Sequence, residues 1–337
     1  MLRDNTGLIS WVLSDGKAGD ELQALSVAEA LGLSPEIRRV RPRVPFTWAM
    51  PWGPIDPRER PAAPGSPLAP PFPDIVIGSG RRAVSYLRHV KRASDGRSYT
   101  VFLKDPRTGP NAADFIWSPT YDRLRGPNVL NTLTPPHRIS PKRIEAARAH
   151  PDPRLAPLPR PRIAVLVGGD SRHHRFTQAD VTRFAAHLTA LAGTGAGLMM
   201  TASRRTPPAL REALIALANK HGGFFWDGAG ENPYLALLSL ADFIVATADS
   251  FNMIGEAAAT GRPILIFEPS GGHPKLEVFL KSLENQGVVH PLTGRLVGEA
   301  YEPLNSTPQI ADAIAQGFNS HRRALGLPDI AFSLETS

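Results

Sequence analysis

This 337-residue sequence predicts an α/β fold built from two domains, each a parallel, doubly wound sheet with helices on both faces. Three observations carry the prediction. Short apolar runs alternate with helix-period segments along most of the chain. Glycine-rich polar turns follow several of those runs. The alternation then restarts after a proline-rich stretch near the middle, and the length favours two domains over one.

In the first half, residues 8–13 read as a strand, followed by the turn Ser14-Asp15-Gly16-Lys17-Ala18-Gly19. A helix from Asp20 carries its apolar positions at Leu22, Leu25, Val27, Ala28 and Leu31 and stops at Gly32. Residues 37–40 and 74–77 are further strands, and Gly78-Ser79-Gly80-Arg81-Arg82 opens a helix through Lys91. Strands at 99–103, 115–117 and 129–133 complete a first domain over 1–149. Between positions 42 and 73 lie 11 prolines, enough to argue against a helix or a central strand. That segment reads as a variable insertion. Its Phe46, Trp48 and Trp52 stand among Arg41, Arg43, Arg58 and Arg60, a pairing that would also suit an interfacial membrane contact.

Residues 150–162 read as an inter-domain linker, and 163–305 as the second domain. There the strand 163–167 leads into Gly168-Gly169-Asp170-Ser171 and a helix over 177–192. Strand 197–201 leads into Ser203-Arg204-Arg205-Thr206-Pro207-Pro208 and a helix to His221. After a strand at 224–226 and a short helix at 232–240, the buried strand 241–247 turns into one compact helix that ends at Gly261 and Pro263, before strand 264–267. Residues 306–337 are C-terminal helices and tail. Two Rossmann-like domains of this kind would face each other across a cleft at the carboxyl ends of their strands.

The composition narrows the function. There is no cysteine, which excludes disulfides, thiolate metal sites and cysteine nucleophiles. The net charge of +7 is uneven: residues 1–155 hold 23 Lys and Arg against 15 Asp and Glu, and the remainder is near neutral. A basic first half points to an anionic partner such as phosphorylated lipid or a membrane surface, or else to an arginine-rich surface with no partner at all. No nucleic-acid motif occurs, so nucleic acid is not an expected partner. Neither a signal peptide nor a membrane-spanning stretch is readable, so a cytoplasmic protein is expected, with peripheral contact on the inner membrane face as an extension.

Five turns carry candidate chemistry. Asp249 or Ser250 would cap the compact helix, whose N-terminus suits a phosphate. Asn252 and Glu256, four apart, share one face, and Glu256 can accept from both hydroxyls of a ribose or stand merely solvated. Ser203, Arg204 and Arg205 at a strand's end suit a diphosphate, with Gly168 and Gly169 allowing close backbone approach. In the first domain Asp15, Lys17, Gly19 and Asp20 form one polar turn, and Gly80, Arg81 and Arg82 a second, anion-binding one. The adjacent His173 and His174 lack an acidic partner at helical spacing, so no metal site is expected. No Gly-x-Ser-x-Gly elbow and no Tyr-x-x-x-Lys pair occurs, which counts against hydrolases and against epimerases that use that pair.

Taken in order, Ser14 to Asp20 with Gln23, Ile77 to Arg82, Val167 to Gly169, Thr201 to Pro207, Ser250 to Pro263 and Lys275 to Phe279 with Leu283 and Gly287 resemble the "elongated mitochondria" mitochondrial fission family of plants and its bacterial homologues. The resemblance spans nearly the whole chain, apart from 42–73 and the tail. It implies a GT-B-like fold and metal-independent sugar transfer from a nucleotide-diphosphate sugar, with no cofactor. By that resemblance Glu256 would hold the ribose, and Ser250, Asn252 and Arg204 would face the diphosphate. Asp15 or Asp20 would be the general base, although no histidine stands at that turn. The plant members, understood as recruiters of fission machinery, imply the alternative of a non-catalytic adaptor with a protein partner.

Overall fold

The computed structural model describes residues 7–334. Residues 1–6, on which the reading against a signal peptide largely rests, lie outside them. The chain divides into two compact units: residues 1–138 with 306–337, and residues 139–305.

Unit 1 runs β1 (Ser10–Ser14), α1 (Ala18–Ala30), β2 (Glu36–Arg39), α2 (Val44–Ala49), β3 (Ile75–Ser79), α3 (Ala83–Ala93), β4 (Tyr99–Leu103), β5 (Phe115–Pro119) and β6 (Val129–Thr132). Its parallel sheet has the order β2-β1-β3-β4-β5-β6. Unit 2 runs α4 (Pro141–Ala149), β7 (Arg162–Val167), β8 (His174–Arg175), α5 (Gln178–Ala192), β9 (Gly197–Ala202), α6 (Pro208–His221), β10 (Phe224–Trp226), α7 (Tyr234–Leu240), β11 (Phe243–Thr247), α8 (Phe251–Ala258), β12 (Ile264–Phe267), β13 (Ser270–Gly271), α9 (Pro274–Glu284) and β14 (Val289–Pro291). Its parallel sheet is ordered β10-β9-β7-β11-β12-β14, with a small antiparallel pair, β8 and β13, beside it. Helix α10 (Thr307–Ala324) then returns the chain to unit 1. In each sheet the strand order reverses at one point, between β1 and β3 in unit 1 and between β7 and β11 in unit 2. Crevices at the carboxyl ends of such strands are where doubly wound sheets bind ligands.

The central strands are buried end to end because helices cover both faces of each sheet. In unit 1 alternation along β1 sends Val12 toward α1 and α10, where it meets Val27, Ile310 and Phe318. The same alternation sends Trp11 and Leu13 to the other face, against Tyr86 and Leu87 of α3. In unit 2 the strand residues Ile163, Val165 and Val167 pack on Phe184, Leu188, Leu210 and Leu214 of α5 and α6.

Two expectations need correction here. The proline-rich segment does hold a helix, α2, because Pro45 sits in its first turn, where no backbone donor is required. The segment is also built into unit 1 instead of looping away. Met50, Ile55 and Leu68 are buried against Trp11 and α3. Asp56, buried, accepts from Arg43 through N (3.1 Å), Nε (2.8 Å) and Nη2 (2.7 Å) and from Arg58 N (3.0 Å). The Arg43 hydrogen bonds hold its carboxyl well below the usual carboxylate range. The second correction concerns the boundary between units, which falls before α4, not at 149. Helix α4 packs on α7, Leu155 is fully buried, and Asp242 binds Arg160 and the Arg162 amide, so residues 150–162 are part of unit 2 and not a free linker.

Replacing Asp56 by Asn should destabilise the protein by about 2 kcal/mol at neutral pH, because a buried charged acceptor is lost to Arg43. A carboxylate held below its ordinary value stabilises fully above about pH 4 and loses that contribution as pH falls. Urea midpoints of wild type and Asp56→Asn should therefore differ at pH 7 and converge in acid.

Candidate functional site

At the reversal point of unit 2, the turns after β7, β9 and β11 meet around one carboxylate. Asp249 has a fully buried side chain. Its Oδ1 accepts from Thr247 Oγ1 (2.6 Å), and its Oδ2 accepts from the Gly169 amide (3.0 Å) and Arg205 Nη2 (3.0 Å). Arg205 Nη1 also donates to the carbonyls of Gly169 (3.1 Å) and Asp170 (2.9 Å). Ser203 Oγ and Thr206 Oγ1 both donate to the Gly168 carbonyl. The glycines are required by this closeness. A Cβ on Gly168 would lie 2.1 Å from both Asp249 oxygens, and one on Gly169 would lie 2.2 Å from the Arg205 carbonyl.

This geometry redistributes the roles expected of these residues. Ser250, not Asp249, caps α8, its Oγ accepting from the Met253 amide at 3.4 Å. Asp249, Ser203 and Arg205 spend their polar atoms holding the turns together. Both arginines are exposed, but Arg204 has no ion pair among the described residues, so it is the arginine of this motif left available to a ligand.

Asn252 and Glu256 follow on α8, both half-buried. Glu256 has a partner that pattern reading missed: Tyr234, in the first turn of α7, donates its hydroxyl to Glu256 Oε2 at 2.6 Å. Burial pushes the Glu256 carboxyl up, against the Tyr234 bond, which lowers it; burial and Glu256 together push the Tyr234 hydroxyl well up. The only sequence cue for Tyr234 was an aromatic with a polar end opening a short helix after Pro233. Glu256 stands six residues beyond the Ser250 cap, about 9 Å along the helix axis.

At the reversal point of unit 1, Asp15, Lys17, Asp20 and Gly80 do come together, and Gly19 lies in the first turn of α1 beside them. A Cβ on Gly80, whose φ is +89°, would lie 3.1 Å from Asp20 Oδ2 and 3.6 Å from Asp15 Cγ. Both carboxylates already have ammonium partners. Lys17 Nζ is 3.1 Å from Asp15, and Lys104 Nζ binds Asp20 Oδ1. Lys104 sits after β4 with φ +96°, a left-handed conformation uncommon outside glycine. Position after a strand was its only sequence cue. Arg82 stands half-buried at the N-cap of α3, while Arg81 donates to the Thr47 carbonyl (3.0 Å) and so tethers the proline-rich segment.

The family description "Mitochondrial fission ELM1" matches residues 18–318. Mitochondrial fission protein ELM1 of Arabidopsis thaliana is 26% identical over 269 residues, covering 72% of this chain and 63% of that protein. An uncharacterized protein of Rickettsia prowazekii is 29% identical over 161 residues, covering 45% of each. The chain thus spans under two thirds of the length of these curated relatives. Among solved structures, a UDP co-structure of Staphylococcus aureus MnaA is similar with a TM-score of 0.52 at 12% identity, covering 95% of this chain and 97% of that one. A Listeria monocytogenes chain named as a UDP-N-acetylglucosamine 2-epimerase is similar at the same TM-score and 13% identity, covering 94% and 97%. At such identity the likeness is one of fold alone, the GT-B class of paired Rossmann-like units. No described helix is long and apolar enough to cross a membrane.

Asp249→Asn keeps the shape of the turn centre but removes its charge, and should cost about 2–3 kcal/mol of stability. Arg204→Ala, a neighbouring exposed change, should stay within about 0.5 kcal/mol. Urea denaturation of the two variants should separate them clearly.

Proposed function

From the premise that the chain belongs to the mitochondrial fission ELM1 family, on a GT-B-like scaffold, we propose that unit 2 binds a nucleotide-diphosphate sugar as donor for metal-independent sugar transfer. One observation carries the reading: at the strand-order reversal, the positive end of α8, the outward Arg204 and the Tyr234–Glu256 pair lie along one short helix and the turn beside it. The diphosphate would lie at the α8 N-terminus, where the helix dipole and Arg204 favour negative charge. Gly168 and Gly169 let the turns close on Asp249, and Asp249 and Arg205 act as positioning residues that fix those turns beside the helix terminus. Glu256, oriented by Tyr234, would accept from the ribose hydroxyls about 9 Å further along, and Asn252 shares that face.

In unit 1, Asp15 or Asp20 would take the acceptor's proton, with Lys17, Gly19, Gly80 and Arg82 around the acceptor. Arg81 is engaged with the Thr47 carbonyl and contributes least. No cofactor or metal is needed in this scheme, since the helix terminus and Arg204 would stabilise the leaving diphosphate. A second reading is favoured by the lysine partners of both carboxylates. In it the scaffold binds nucleotide without turnover and acts as an adaptor for a protein or membrane partner, in line with the family's name. A peripheral position on a membrane's inner face would go with either reading.

Isothermal titration with UDP, GDP, ADP and CMP and their sugars should find at least one binder, with Glu256→Gln weaker by about tenfold, or 1.4 kcal/mol. Only ionised Glu256 accepts from two hydroxyls, and burial raises its pKa. Wild-type affinity should therefore begin to fall, on acidification, above the usual carboxylate range, while Glu256→Gln shows a flat profile. No binding by any of these ligands would sink both nucleotide readings. Binding with no sugar released to water or to an acceptor would favour the adaptor.

A further inference from the structure

Unit 1 contains a cavity of about 660 Å³ at the opposite end of its sheet from Asp15, Gly80 and Lys104. It opens between the proline-rich segment, the outer face of α3 and the loop before β5. Trp52 forms one wall, Arg88, Lys91 and Arg92 another, and Asn111 and Asp114 the floor. The one acid among these is paired with the lysine of the cavity: Asp114 Oδ2 accepts from Thr100 N (2.7 Å), Thr100 Oγ1 (2.8 Å) and Lys91 Nζ (3.0 Å). Arg88 and Arg92 have no acidic partner among the described residues, and of the two only Arg92 is engaged, its Nε donating to the Arg88 carbonyl (3.3 Å) and leaving both of its Nη groups for a ligand. The cavity therefore carries two uncompensated guanidinium groups. Neighbouring His89 is pressed toward its neutral form by burial and then by the charges of Arg92 and Arg60, as expected in a positive field.

The aromatic wall is exposed without being loose. Trp52 is 68% exposed, yet its amide donates to the Ala49 carbonyl (3.1 Å), and Ser85 Oγ bridges the carbonyls of Pro51 (3.0 Å) and Gly53 (2.8 Å) on either side. An indole held out of the core by a rigid backbone offers a flat apolar face at little entropic cost. The volume is that of a small-molecule site, and paired guanidinium forks match the oxygens of a phosphate.

We infer that this cavity binds a phosphate ester, with Arg88 and Arg92 on the phosphate and the organic part of the ligand against Trp52. A glycerophosphate group fits this chemistry, whether free in solution or as the head of an acidic phospholipid. The second source would bring Trp48 and Val44, which are 78% and 58% exposed on the same segment, to the bilayer interface. The inference is independent of nucleotide binding in unit 2.

Two arms on the full chain test it: titration with sn-glycerol 3-phosphate, and flotation with phosphatidylcholine vesicles with and without phosphatidylglycerol. Binding is expected in at least one arm and should weaken with salt. It should fall at least about tenfold in the Arg88→Gln/Arg92→Gln double variant, and should fall in Trp52→Ala, with the exposed-site control Arg295→Ala unchanged. Far-ultraviolet circular dichroism and urea midpoints check that the variants remain folded. Binding of glycerol 3-phosphate without vesicle retention identifies a soluble ligand; retention only on phosphatidylglycerol vesicles identifies the lipid. No binding in either arm, or binding indifferent to the arginine changes, overturns the inference.

Discussion

A carboxylate removed from water must be given donors in place of its hydration shell, and the geometry of those donors then becomes fixed. Asp249 is such a group. Thr247 at the end of β11, the Gly169 amide in the turn after β7 and Arg205 in the turn after β9 supply its donors. The glycines at 168 and 169 follow from this constraint, since no Cβ fits between the turns. So does the fate of Ser203 and Arg205, whose polar atoms are tied to the turns. What remains available to a ligand is what the constraint leaves over: Arg204, the start of α8, and Glu256.

Unit 1 solves a different problem by similar means. Its insertion has too much proline to form its own sheet, and it is laid along α3 instead. Side chains of α3 and the residues before it meet it in order: Arg81 at Thr47, Ser85 at Pro51 and Gly53, and Tyr86 at Glu59. Asp56 then closes the segment on itself through Arg43. The consequence is a rigid rim carrying exposed tryptophans above a cationic cavity, at the sheet end opposite the polar turns.

The fold narrows the chemistry only so far. Solved structures on the same scaffold include one named as an epimerase and one holding UDP, and a shared scaffold does not choose between epimerase, transferase and adaptor. The absence of a Tyr-x-x-x-Lys pair bears only on epimerases that use it. In unit 1 the pairing of both candidate acids with lysines bears on turnover more directly than the fold does.

The period-2 apolar runs, the capping residues and the glycine turns were legible in the sequence because each is set by neighbours close along the chain. They placed the parallel sheets, the order of the helices, the Ser250 cap as one of two choices, and Glu256 on the face of α8. Tertiary structure alone decided the rest. Arg204 and Arg205 are adjacent and chemically equivalent in sequence; only the buried Asp249, 44 residues on, ties one to the turns and leaves the other without an ion pair among the described residues. Tyr234 and Lys104 joined their acids across 22 and 84 residues, and α10 crossed back to unit 1 because its apolar stripe completes the face covered by α1. Contacts of that separation depend on how strands are ordered in a sheet, and strand order is settled by packing the whole unit rather than by any local pattern.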